Sequence, residues 1–156
     1  MKKITCLLFI GIITFICVGC SQNENNVKQE VKNIEQTKTY DTVHIASNLA
    51  HENIKELLNS NYKLKGNVYY TKSKSFNNAY FIGAIADKNG EFFNCIWFAN
   101  TPDMSGDTNS ANDYAVEVSG MPDARKFSTP ISIYDDGYSR ILDKLVSDMN
   151  TYNKQK

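Results

Sequence analysis

The chain has 156 residues, with 17 Lys+Arg against 17 Asp+Glu; removing residues 1–19 takes away Lys2 and Lys3 and leaves 15 against 17. That balance excludes the strongly basic profile of a nucleic-acid binder, so no nucleic acid is expected as a partner. A hydrophobic content of 42% and an aromatic content of 12% exclude a wholly disordered chain.

The chain opens Met1-Lys2-Lys3, runs through an apolar stretch from Ile4 to Gly19, and continues Cys20-Ser21-Gln22-Asn23. Two lysines ahead of a short apolar run that ends in a small residue form an export-signal pattern. As a helix, residues 4–19 would extend about 24 Å, short of a hydrocarbon core of about 30 Å, so a retained membrane span is the second-best reading. Val18-Gly19-Cys20 resembles the lipobox of bacterial lipoproteins, with Cys17 standing where that family usually has Leu. The resemblance is confined to residues 1–20. It implies that signal peptidase II removes residues 1–19 and that the Cys20 sulfur carries a diacylglyceryl group with palmitate-type chains. The mature chain would then be lipid-anchored in the cell membrane on its extracytoplasmic side. One acyl chain binds a bilayer marginally and two hold firmly, at about 0.8 kcal/mol per buried methylene, so such an anchor is stable.

The cysteines are Cys6, Cys17, Cys20 and Cys95. Two leave with the signal and the third is occupied by lipid, so Cys95 remains alone and the mature domain has no internal disulfide. A cysteine within Phe92-Phe93-Asn94-Cys95-Ile96-Trp97-Phe98 reads as a packed, unreactive thiol. Residues 20–42 carry only Val27, Val31, Ile34 and Tyr40 to bury, too little to offset ordering entropy, and read as a polar tether. Residues 43–156 are left for a single small domain, near the commonest domain size.

Within that domain, Ala50, Ile54, Leu57 and Leu58 form an apolar helical stripe that Val43 and Ala46 extend backward, with Thr42 as a candidate N-cap. Strands are expected at Asn67–Lys72, Tyr80–Ala86 and Phe92–Ala99, the last two joined by the hairpin dipeptide Asn89-Gly90. Tyr114–Val118 reads as a fourth strand. A helix over 137–150, capped by Asp136, carries the stripe Tyr138, Ile141, Leu142, Leu145, Val146 and Met149. The expected fold is α+β: an antiparallel four-stranded meander with an N-terminal and a C-terminal helix packed on one face. In outline this element order is similar to small cystatin-like exported domains.

A two-residue loop at Asn89-Gly90 sets Lys88 opposite Glu91 and Ala86 opposite Phe93, and both faces of the hairpin are then apolar. Two arrangements satisfy this. Either both faces are buried within the monomer, or an aromatic surface bearing Phe81, Phe92, Trp97 and Phe98 remains for a protein partner or a weak homodimer.

Chemistry-bearing motifs are sparse. His44 and His51 would lie two turns apart on one helix, too far to share a metal without a third ligand. Asp103, Ser105, Asp107 and Asn109 place oxygens at alternating positions, as calcium loops do, but Thr108 and Tyr114 stand where such loops need Gly and Glu. A solvated polar loop is the better reading, with weak calcium binding as the alternative. Asp135-Asp136 fits helix capping. No nucleophile elbow, phosphate loop or dinucleotide fingerprint appears, so neither a cofactor nor a catalytic residue is expected. The functional expectation is therefore a lipid-anchored binding domain. One alternative is an exclusion lipoprotein of the kind prophages encode. Another is a small exported enzyme, which would need a pocket joining Asp or Glu with Tyr or His.

Overall fold

The computed structural model describes residues 42–155, all of them within the unit Lys38–Lys156. The signal segment, Cys20 and tether residues 21–41 lie outside the described residues. The domain is α+β with an antiparallel sheet. Its elements are β1 (His44–Ile45), α1 (Asn48–Leu57), β2 (Lys63–Lys72), β3 (Tyr80–Lys88), β4 (Glu91–Ala99), β5 (Thr108–Ser110), α2 (Asp113–Ser119), a 3-10 turn (Ala124–Lys126) and α3 (Asp136–Asn153). The strands lie side by side in chain order.

The β3–β4 hairpin takes the register that its sequence sets, with Lys88 opposite Glu91 and Ala86 opposite Phe93. Asn89 and Gly90 both have positive φ, 56° and 87°, as a two-residue turn with the twist of the flanking strands requires. Asp87 Oδ1 accepts the Gly90 N–H at 2.7 Å and fastens the turn from within.

Three expectations are corrected. Residues 114–118 are helical rather than extended. Tyr-Ala-Val-Glu-Val alternates like a strand, yet the residues it buries are Ala115 and Val118, three apart, and caps stand at both ends. Asn112 Oδ1 accepts the Ala115 N–H, and Gly120 closes the helix in the left-handed conformation. The strand of this region is instead the short β5, paired with Trp97–Ala99.

Second, the helices do not share one face. α1 and α2 pack with Ile82, Ala84, Ala86, Phe93, Cys95 and Trp97 through Ala50, Ile54, Ala115 and Val118. α3 lies on the opposite face, where Ile141 and Leu145 meet Phe81, Ile85 and Ile96. Gly83 lets α3 approach closely: a Cβ there would stand 2.3 Å from Ile141 Cγ2.

Third, the helix starts are shifted. His44 and Ile45 pair with Tyr70 and Tyr69 as a strand, so α1 begins at Asn48 with Ser47 as its cap. His44 therefore stacks on Tyr70 instead of sharing a helix with His51. α3 is capped by Asp135, one residue before the expected Asp136.

Candidate functional site

Helices on both faces decide what becomes of the hairpin aromatics. Phe81 and Trp97 are fully buried, and Trp97 donates its indole N–H to Ser119 Oγ at 3.4 Å. Phe92 and Phe98 are half-buried, Phe92 against Tyr152 and Phe98 between Phe76 and Phe81. The four do not form an exposed surface, because α3 and α1–α2 cover the faces that would have carried it. Cys95 is buried too, and burial pushes its thiol up to about 12, far from a reactive thiolate.

The loop oxygens are separated by their local bonds. Asp103 Oδ1 accepts from the N–H and the hydroxyl of Ser105, at 3.0 and 2.7 Å. Asp107 offers its carbonyl to the Asn100 N–H, and Asn109 is paired with Phe98 inside β5. Among the described residues no group of three or more His, Cys, Asp or Glu side chains is placed to hold a metal ion.

A different set of residues converges on a cleft of about 400 Å³ beside β4, lined by Asn94, Asn112, Asp113, Tyr114, Arg125, Tyr138 and Leu142. Its frame is built by two side chains. β5 ends at Ser110, and the Asn112 amide continues its role along β4. Oδ1 accepts the Ile96 N–H at 3.2 Å while Nδ2 donates to the Asn94 carbonyl at 2.7 Å. The same Oδ1 caps α2, so one amide ends the sheet edge and starts the helix.

The second support is Asp123, buried next to β5. Its carboxylate accepts from the Arg125 backbone N–H at 3.0 Å, and from the guanidinium Nε and Nη2 at 2.8 Å each. These bonds to Arg125 hold the Asp123 carboxyl down to about 2, against the opposing effect of burial. Arg125 Nη2 also bonds Asp113, so the guanidinium is clamped from two sides.

Asn94 lines the same cleft. It is 92% buried, 8% exposed, and its Oδ1 has no hydrogen-bond partner among the described residues. Tyr138, from α3, has its hydroxyl pKa raised, chiefly by burial, with Asn112 as a polar neighbour. Leu142 adds an apolar wall, and the half-exposed Tyr114 stands at the rim on Phe93. A second cleft, about 380 Å³, runs between α1 and the loop before β5, lined in part by Asn53, Leu57, Met104 and Met121. None of its lining residues carries a buried polar atom without a partner.

The cleft does join an acidic residue with tyrosines, the combination an enzyme would need. Asp113, however, is engaged by Arg125 and its side chain is 90% exposed, so it is not arranged as the base of a buried pair.

Sequence reasoning did not assign Asn94, Asn112, Arg125 or Tyr138 to a site, and read Tyr138 as part of the apolar stripe of the C-terminal helix. One signal was present: on the hairpin face of Phe81, Gly83, Ile85, Phe92, Ile96 and Phe98, the polar side chains are Asp87, next to the turn, and Asn94, in mid-strand. Comparison of the chain with family models, curated proteins and solved structures gives no match.

Proposed function

We propose that the chain is a lipid-anchored extracytoplasmic protein whose α+β domain binds a ligand in the cleft beside β4. The anchor reading is supported by residues 1–20: the two lysines, the apolar run, Gly19 and Cys20. Among the described residues no helix is long and apolar enough to cross a membrane. The observation that carries the binding reading is Asn94. A buried polar atom without a partner costs roughly 1–3 kcal/mol, and here it belongs to a residue that lines an open cleft together with a clamped guanidinium. A group that weakens the free domain is explained if a ligand completes it.

The two halves are tested separately. Anchoring predicts that Cys20→Ala moves the protein from the membrane fraction to the soluble fraction. It also predicts that the native protein begins at Cys20 with the added mass of a diacylglyceryl group. An intact, unmodified N-terminus overturns it. Binding predicts that a photoreactive side chain replacing Tyr114, at the cleft rim, gives a ligand adduct in cells. The same probe replacing Lys154, an exposed residue after α3, should give none.

A further inference from the structure

The cleft narrows the chemistry of what enters it, provided that it is a binding site as proposed above. Its one guanidinium is already neutralised. The carboxylates of Asp113 and Asp123 meet the cations of Arg125 and Lys126, whose Nζ stands 3.5 Å from Asp123 Oδ2. Two negative charges offset two positive ones, so no surplus charge is left to attract an anion. Arg125 is held in place as a hydrogen-bond donor instead. Its Nε and Nη2 are engaged by the two aspartates, while no protein acceptor faces Nη1 among the described residues.

Asn94 adds the complementary half. A primary amide accepts through Oδ1, and that atom has no partner within the described domain. A secondary amide answers both residues, its N–H as donor to Asn94 Oδ1 and its C=O as acceptor for the Arg125 guanidinium. Tyr114, Tyr138 and Leu142 supply flat or apolar walls for the body attached to such a group. A volume of about 400 Å³ admits a molecule the size of one sugar or a capped amino acid.

We infer that the cleft formed by Asn94, Arg125, Tyr114, Tyr138 and Leu142 binds an uncharged secondary amide, carried by an acetamido sugar or by a peptide unit. Asn94 Oδ1 accepts the ligand's N–H, and Arg125 donates to its carbonyl. Binding satisfies the orphaned group, whereas a carboxylate would bring charge to a site with none to spare.

The test uses the full chain in detergent micelles, with the Asn94 side-chain amide observed by nitrogen-15 NMR. N-acetylglucosamine and N-acetylalanine methylamide are the two amide probes, and acetate is the charged control. At least one amide is expected to shift the Asn94 signals saturably with a dissociation constant of about 1 mM, a reasonable value for so small a ligand. Whichever amide binds more tightly identifies the source. Asn94→Leu should weaken that binding about tenfold and, by removing an unpaired buried oxygen, raise the melting temperature. A merely structural asparagine would give the opposite thermal result. No response to either amide overturns the ligand class. Saturation by acetate at lower concentration than by the amides overturns it too, yet leaves the cleft a site. A lower melting temperature for Asn94→Leu, with no probe bound, removes the cleft as a site altogether.

Discussion

Asp135 shows how much one side chain holds in this domain. It is buried and caps α3, accepting the Gly137 N–H at 2.8 Å. It also gathers the β2–β3 loop, accepting from Ser73 Oγ at 2.8 Å, the Ser75 N–H at 2.9 Å and the Lys74 N–H at 3.1 Å. Burial alone would raise its pKa, but the bonds from Ser75, Gly137 and Ser73 outweigh it and hold the carboxyl below its ordinary value. Asp135→Ala removes the cap and leaves several donors unmatched, and is expected to cost about 2–4 kcal/mol in urea unfolding. Asp135→Asn, which keeps an acceptor in place, should cost clearly less. The sequence indicated a cap at this helix start, but the tie to residues 73–75 is non-local and no nearby pattern announces it.

At the level of elements, α2 shows where local pattern and tertiary context part. Its β-branched, alternating sequence favours a strand. The outcome is set by Asn112 at one end and Gly120 at the other, where φ is +67° and the Gly120 N–H reaches the Val116 carbonyl at 2.8 Å. A Cβ at Gly120 would meet nothing within 4 Å, so substitution there tests conformation without packing. Gly120→Ala is expected to lower stability by about 1 kcal/mol and Gly120→Asn by less, read from thermal melts. The hairpin, by contrast, was legible: Asn89-Gly90 fixes the turn, and the alternation on either side fixes which residues share a face. α3 was legible from its stripe, although the side of the sheet it occupies was not. Both faces of the hairpin are apolar, and periodicity alone does not assign a helix to one of them.

For the whole molecule, the depressed carboxyls set the acid limit. Asp123, held down to about 2, and Asp135, shifted in the same direction, bind protons more weakly in the folded state than in the unfolded one. Their stabilisation is complete above the ordinary carboxyl value near 3.8 and fades as pH falls toward about 2. A melting temperature that is flat from pH 7 to about 5 and drops steeply below 4 is expected. In Asp123→Asn that drop should be shallower, from a lower starting point. The cleft was hidden from a linear reading because its residues come from four separate stretches, β4, the start of α2, the turn at 124–126 and α3, and only the fold assembles them. Its keystone carries an evolutionary consequence. The Asn112 amide is splint, cap and wall together, so the position is closed to gradual drift. Aspartate forfeits the donor to Asn94, and serine or threonine cannot supply both the donor and the acceptor over that span. A descendant of this chain that changes its ligand has its variation in Tyr114, Tyr138 and Leu142, and must inherit Asn112 unaltered.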